Sequence, residues 1–431
     1  MQGLDEHISI GPFRLDLAAS RLVRNGVELA LRPRAFRALK VLIQNPGRVV
    51  DYEQLIRDAW DGTHVSKHTV IVTMGEIKHA LEEYGAWINC RPRFGYSLEI
   101  PKSDDLIRRG WHFWNQYTEA GFQNALRCFQ KAAEVDSADF RAFEGISSTY
   151  LMLSGFELCA PRDFRAAFFE ANRRAEILAG QLSPELRLDR AFALHLFEKR
   201  MAEAEAEALE VLRQRPNLVH AYIRLALIYL SNSRLDAARD MMFRARQANA
   251  LEPELTFLEV VVALFRRDFA EAVECGKNTV DLHPGLQVGR AFYAQALEFA
   301  GAAEEAMVQY HLASSMSPDT PWISTQEARC LARSGRFEHA QRILEGLKQI
   351  RKTVYIDAFQ MALLLEALGK RDEAFEELEL AYEENSYGLM FLDVDAKADS
   401  LRDDPRFLDL RARVFGQPGS ALLAATAVGE S

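Results

Sequence analysis

At 431 residues, with 48% hydrophobic and 26% charged side chains, the chain has the make-up of a globular protein too long for one core. A net charge of −10 argues against a surface coated in basic patches, but the charge is uneven: residues 1–102 hold 14 Lys+Arg against 12 Asp+Glu, the remainder 38 against 50. Five scattered cysteines (Cys90, Cys128, Cys159, Cys275, Cys330) form no Cys-x-x-Cys pair, which excludes a zinc ribbon or disulfide framework and reads as buried thiols in a reducing compartment.

The N-terminus shows neither a basic n-region nor an apolar core. The most apolar run, Leu255–Phe265, contains Glu259 and is too short to span a bilayer. The expectation is a cytoplasmic protein without membrane contact.

Residues 8–31 alternate with period two around Asn25-Gly26 and predict short strands with a hairpin. From Arg34 the period becomes helical: Phe36, Leu39, Leu42 and Ile43 share a face, Pro33 stands near the start, and Asn45-Pro46-Gly47 stops the helix. A second helix, Tyr52–Trp60, turns Leu55, Ile56 and Trp60 inward. A third, Ser66–Leu81, buries Val70, Met74, Ile77 and Leu81, and Ile88–Leu98 reads as strand, turn, strand. Helix followed by basic hairpin is the layout of a winged helix.

On the third helix Ser66 suits the N-cap, with free amides near a phosphate. Lys67, His68, Val72, Thr73, Gly75, Glu76 and His79 are expected outward, with Lys78 beside them. Lys67 and His68 suit phosphate or guanine, Val72 a thymine methyl, Glu76 a cytosine amine, and Gly75 lets a groove edge approach. In the turn, Arg91 and Arg93 flank Pro92, a short stiff carrier of arginine for phosphates or a minor groove.

These residues carry a specific resemblance. Asn45-Pro46-Gly47-Arg48-Val49-Val50, Leu55 with Trp60, the helix ending Ile77-Lys78-His79-Ala80-Leu81, and Arg91-Pro92-Arg93-Phe94-Gly95-Tyr96-Ser97-Leu98 resemble the OmpR/PhoB-type winged-helix DNA-binding domain. Gly95-Tyr96 corresponds to the family's wing closure. Pro92-Arg93 is similar to the subgroup without a phosphorylated receiver domain, the ToxR/CadC-like and HilA-like regulators. The resemblance implies double-stranded DNA as partner and no control by aspartyl phosphorylation of this chain. Relatives often have arginine at the positions of Glu76 and Phe94 and an acid at that of Ile71. This reading face is therefore less basic, which favours cooperative or homodimeric binding.

From Leu106 on, only helical periodicity remains, with a 34-residue self-match. Ala204, Ala238, Ala272, Ala306, Ala340 and Ala374 recur in frames starting near Glu185, Val219, Pro253, Gln287, Pro321 and Tyr355. Tyr229 and Leu365 share one large position, Tyr310, Leu344 and Leu378 another, and Pro216, Pro284 and Pro318 close three frames. Two frames precede them near Leu106 and Phe140, the second lengthened through Phe156–Phe164. The period and the small/large pattern resemble tetratricopeptide repeats, in which alanine permits two helices to cross closely and neighbouring pairs stack. Trp111, Phe113, Trp114 and Tyr117 are expected to pack in the first repeat. The pairing of winged helix with repeats is most similar to the HilA-like regulators.

The expected fold is mostly α: an N-terminal α+β winged helix-turn-helix (1–102) followed by an α-solenoid of tetratricopeptide repeats (103–387, about eight helix pairs), a capping helix (388–416) and a tail (417–431). The concave face is expected to present Asp189, Ile223, Leu227, Phe257, Val261, Ala291, Gln295, Thr325, Arg329, Phe359 and Leu363. Of these Ile223, Leu227, Phe257, Val261, Gln295, Arg329 and Phe359 are the candidates for a protein or peptide partner.

Nothing points to a reaction. Walker, dinucleotide and His-Glu-x-x-His motifs are missing. Asp393–Asp399 lacks the glycine and glutamate of a calcium loop and reads as solvated. His64 and His68 read as a loop and helix-start pair rather than metal ligands. No enzyme, metal or cofactor is expected. The functional reading is a sequence-specific transcriptional regulator; the alternative is an interaction scaffold with a vestigial winged helix.

Overall fold

The period-two stretch forms four antiparallel strands in sequential order, β1 (His7–Ile10), β2 (Phe13–Asp16), β3 (Arg21–Arg24) and β4 (Val27–Leu29). The computed structural model describes residues 7–24, 26–63, 65–316 and 320–415. Asn25, His64, Pro318 and the 417–431 tail lie outside the described residues. Phe13 and Leu15 on β2 and Leu22 on β3 face the core, as alternation requires.

Helix α1 (Pro33–Ile43) starts with Pro33 in its first turn, where a missing N–H is harmless. It is followed by β5 (Val49–Asp51), a strand that sequence periodicity passes over because three residues are too few to show a period. Asp51 then caps α2 (Tyr52–Ala59), accepting from Gln54 N at 2.7 Å. Helix α3 (Lys67–Ala80), a 3-10 turn (Glu82–Trp87) and the hairpin β6 (Ile88–Arg91), β7 (Gly95–Leu98) complete the winged helix. β7 sits between β5 and β6 in a second antiparallel sheet. One core joins both sheets to α1–α3, with Trp60, Val70, Ile77 and Tyr84 among its buried members.

The chain forms two compact units, residues 1–110 with 127–142, and residues 111–126 with 143–431. The first unit thus reaches past residue 102 into α4 (Ser103–Trp114) and α5 (Glu119–Val135), both of which contribute to each unit. Within it, the Tyr84 hydroxyl donates to Glu134, and Arg141 bridges Asp104 and Asp139.

The second unit is a solenoid of helix pairs. They are α6 (Phe140–Gly155) with α7 (Pro161–Ala179), α8 (Pro184–Leu196) with α9 (Met201–Gln214), α10 (Val219–Ser231) with α11 (Leu235–Ala248), and α12 (Pro253–Phe265) with α13 (Phe269–Leu282). Then follow α14 (Gln287–Phe299) with α15 (Ala303–Met316), α16 (Pro321–Arg333) with α17 (Phe337–Ile350), and α18 (Ala358–Ala367) with α19 (Arg371–Glu384). All six register alanines lie on the second helix of a pair and are fully buried. Ala306, for example, belongs to one buried cluster with Ala291, Ala294, Leu297 and Ile323. Trp114 and Tyr117 pack edge-on against Phe122 in the same unit.

The expected capping helix (388–416) is met over residues 405–415 only, and the stretch before it is not helical in that way. After Asn385 ends α19 in the left-handed region, two 3-10 turns (Tyr387–Phe391 and Ala396–Leu401) precede α20 (Pro405–Phe415). Tyr387 through Phe391 are all buried. The segment lies against earlier repeats: Asn385 Nδ2 donates to the carbonyls of Leu196 and Phe197, and Asp399 pairs with Arg267 at 2.6 and 2.8 Å. Asp393–Asp399 is accordingly not a solvated loop. Asp395 is buried, accepts from Lys397 N at 2.9 Å and pairs with the Lys397 ammonium at 3.4 Å.

Candidate nucleic-acid interface

Ser66 Oγ accepts from Thr69 N at 3.3 Å and caps α3 as expected. The inward face carries Val70, Met74 and Ile77. That leaves Lys67, His68, Ile71, Val72, Gly75 and His79 exposed along one side, at spacings of three and four residues that stack on a helix. A Cβ built on Gly75 meets nothing within 4 Å, so this face is open to a groove edge. Lys67 Nζ lies 5.3 Å from the centre of the Tyr52 ring. Lys78 is half-buried at the margin.

Two expected contacts are corrected. Thr73 is buried, its hydroxyl donating to Thr69 O at 2.9 Å, a backbone bond that lets a threonine turn inward on a helix. Glu76 is not free to accept from a base: its carboxylate is gripped by the Arg32 guanidinium, Nε donating at 2.7 Å, and accepts from Arg32 N at 3.1 Å. The Arg32 hydrogen bond holds the Glu76 carboxyl below its ordinary range, so the pair stays ionised. Arg32 precedes α1 and is exposed, and sequence periodicity cannot couple it to a residue 44 positions away. Ile71 joins the open face unforeseen, although its spacing from His68 and Gly75 is a signal for it.

The wing is a three-residue turn, Pro92-Arg93-Phe94, closed by Phe94 N to Arg91 O at 2.9 Å, with Arg91 opposite Gly95. Arg93 takes a left-handed φ of 71° and projects with Phe94, which is 71% exposed. Gly95 is dictated by close approach, since a Cβ there would stand 2.0 Å from the Val50 carbonyl on β5. Tyr96 packs back into the core against Tyr52 at 6.0 Å. Arg91 pairs with Glu99 at 2.8 Å on the surface, and Ser97 with Arg91 holds the Glu99 carboxyl below its usual range. Cys90 is exposed on β6, contrary to its expected burial.

The arrangement offers an open helix face beginning at a capped N-terminus and, built on the same core, a hairpin whose tip bears Arg91 and Arg93. Helix dipole, Lys67 and the two arginines all favour a polyanion, while Val72 and Ile71 offer methyl contacts.

The repeat-domain positions come out differently. Ile223, Leu227, Phe257, Val261, Gln295, Arg329 and Phe359 are all buried, as are Ala291, Thr325 and Leu363. Arg329 is locked to Glu298 at 2.6 Å. Asp189 accepts from the Ser148 hydroxyl, and burial pushes its carboxyl up to about 7. Four of the candidates, Leu227, Phe257, Val261 and Phe359, line a partly open pocket, and the chain's own segment Tyr387–Phe391 packs against α10 and α18. Among the described residues no group of three or more His, Cys, Asp or Glu is placed to hold a metal ion. No described helix is long and apolar enough to cross a membrane.

Residues 26–98 match the family described as "Transcriptional regulatory protein, C terminal". The chain is 28% identical over 98 residues (22% of the chain) to the transcriptional activator CadC of Escherichia coli. It is 33% identical over 90 residues (21% of the chain) to the KDP operon transcriptional regulatory protein KdpE of the same organism. These matches span 19% and 38% of the two relatives' own lengths. Among solved structures, a tetratricopeptide repeat protein from Parabacteroides merdae covers 63% of this chain and 98% of its own, with a TM-score of 0.41 and 11% identity. A thermophilic repeat protein of Thermus thermophilus covers 48% and 99%, with a TM-score of 0.34 and 23% identity.

Proposed function

We propose that this chain, whose N-terminal domain is of the OmpR/PhoB winged-helix type and whose remainder is a tetratricopeptide-repeat solenoid, is a cytoplasmic transcriptional regulator that binds double-stranded DNA. The observation that carries the reading is that one small core carries both the open α3 face and the arginine-bearing turn, with Tyr52 meeting Lys67 at the start of α3 and Tyr96 on β7. Lys67, His68, Val72, Gly75 and His79 enter the major groove, with Ser66 holding the helix start against a phosphate and Lys78 at the margin. Arg91 and Arg93 reach the neighbouring backbone or minor groove. Arg91 exchanges Glu99 for a phosphate readily, because an exposed pair is weakly held.

The affinity of one head is modest, since few cations face the DNA, and a homodimer placing two heads on half-sites one turn apart supplies the remainder. The repeat body regulates that occupancy. Its C-terminal segment packs against α10 and α18, so a protein partner docks on its outer surfaces or displaces that segment.

The test is binding of the full chain to mixed genomic duplex fragments across a salt series, beside an Arg91→Ala/Arg93→Ala variant. Binding that weakens with salt is expected, with a slope shallower by roughly 2 in the variant, about 0.9 for each phosphate no longer neutralised. No binding at low salt by either protein removes the DNA reading and leaves the scaffold.

A further inference from the structure

The first helices of successive pairs surround a partly open pocket in the repeat unit, with room of about 150 Å³. Phe257 on α12, Phe292 on α14, Trp322 on α16 and Phe359 on α18 line it, with Phe156 from just beyond α6 and Phe391 from the C-terminal segment. Several of these rings also meet one another. Phe156 stands edge-on to Phe257 at 6.0 Å, Phe257 lies parallel to Phe292 at 5.8 Å, and Phe292 meets Trp322 at 5.3 Å.

The charged side chains on the wall are all engaged. Arg224 is held by Glu254 at 2.6 and 3.3 Å, and the Phe192 ring covers its guanidinium at 4.3 Å. Lys397 pairs with Asp395 at 3.4 Å. Gln360 Nε2 donates to both oxygens of Glu157, at 3.1 and 2.8 Å. Burial, reinforced by Asp357, pushes the Glu157 carboxyl well above its ordinary range and toward its neutral form, with Lys397 opposing. Opposite charges thus cancel within the wall, and the surface it presents is mainly hydrocarbon and aromatic ring.

Such a wall selects by charge, by size and by shape. An anion or a cation entering the pocket gives up water and finds no unengaged opposite charge, which is costly. An apolar space of this volume holds one benzene-sized ring. A flat ring gains more there than a saturated one, because aromatic neighbours attract its face or edge beyond the area it buries. We propose that this pocket is a binding site for a small neutral aromatic molecule, one ring with at most a short uncharged substituent, held by the surrounding rings. Phe156 belongs to the first helix pair and Phe359 to the seventh, so an occupant adds contacts at both ends of the array and stabilises the repeat unit. This goes beyond the DNA-binding reading and does not rest on it.

Four probes of nearly equal size test the site on the full chain by calorimetric titration and thermal unfolding: benzyl alcohol, cyclohexylmethanol, benzoate and benzylamine. Benzyl alcohol should bind and raise the unfolding temperature with concentration. Benzoate and benzylamine should bind about tenfold or more weakly, and cyclohexylmethanol several-fold more weakly. Two variants locate the binding. Val261→Phe places a ring in the space from α12 and should weaken benzyl alcohol about tenfold or more. Trp322→Phe keeps an aromatic wall, so the binding heat should persist, while most of the change in tryptophan emission that benzyl alcohol causes in the parent should vanish. It carries the test if Val261→Phe does not fold. The proposal is overturned by no saturable benzyl alcohol binding at millimolar concentration, or by a charged probe or the saturated alcohol binding as tightly. Unchanged affinity in a folded Val261→Phe, or the full emission change in Trp322→Phe, overturns it too. No DNA is present in these titrations, so their failure leaves the DNA-binding reading standing, and the salt series leaves this one standing in turn.

Discussion

The two units handle charge in opposite ways. In the winged helix the pairs around the reading face lie at the surface: Arg91 and Glu99 have side chains 53% and 43% exposed, and Arg32 of the Arg32–Glu76 pair is 72% exposed. In the repeat interior, Arg329 and Glu298 are 3% and 6% exposed, and Arg224 and Glu254 are similarly enclosed. An exposed pair has water as an alternative partner and gives up its arginine easily. A buried pair has no alternative, because each charge was stripped of water to get there. The head's ions are therefore available to a ligand such as a phosphate backbone, whereas those of the body hold the repeats together and define what the interior admits.

The strongest way to break this contrast is to remove one member of a buried pair. Arg329→Ala strands Glu298, whose remaining partner is the Tyr310 hydroxyl at 3.4 Å. A loss of about 3–5 kcal/mol in urea unfolding is expected. Replacing both, Arg329→Met with Glu298→Leu, should recover most of it. A single variant as stable as the parent would mean that water reaches the pair, and the body would then resemble the head.

Next in size is a pH effect. Asp189 titrates at about 7 inside the body, against 3.8 as its unperturbed value. Its folded form holds a proton that the unfolded chain has released. The stability this lends is complete below the unfolded value and is lost as pH rises toward 7, by roughly 1.4 kcal/mol per pH unit at most. His195, fully enclosed and lowered to about 3, pulls the other way across part of the same range. The informative quantity is thus the difference in unfolding free energy between parent and Asp189→Asn, measured from pH 4 to 8. The parent should lose ground to the variant up to about 7 and no further. A flat difference would place Asp189 in contact with solvent.

How much of this is legible in the sequence follows the same divide. Repeat spacing is fully readable: Val219, Pro253, Gln287 and Pro321 begin α10, α12, α14 and α16, and every register alanine is buried. The burial of the first helices' inner positions is not, because helical periodicity sees one pair at a time. The segment packed against α10 and α18, Tyr387–Phe391, comes from more than a hundred residues beyond Phe257 and Val261. Spacing puts Ile223 and Arg329 on the correct helices but omits the packing between pairs that buries them. On α3 the inward set and the Ser66 cap are readable from local spacing, while Thr73 escapes it because its backbone hydrogen bond makes a polar residue acceptable inside. The Arg32–Glu76 contact depends on how α1 meets α3, which no local pattern reports.

That contact supplies the smallest and sharpest test. The Glu76 carboxylate is engaged by Arg32 rather than facing an open groove. If the head's charges are exchangeable, Glu76→Gln frees the Arg32 guanidinium at the edge of the reading face and removes one negative charge beside it. Binding to duplex DNA at low salt should tighten several-fold, and the salt slope should steepen by about 0.9 if Arg32 then takes a phosphate. The unfolding midpoint should barely move, since Arg32 itself is exposed and takes water as its partner. Tighter binding with an unchanged slope would instead assign the gain to diffuse repulsion relieved at Glu76, with Arg32 out of reach of the backbone. Weaker binding would mean that the pair positions α3, and that this surface contact behaves like the buried ones of the body.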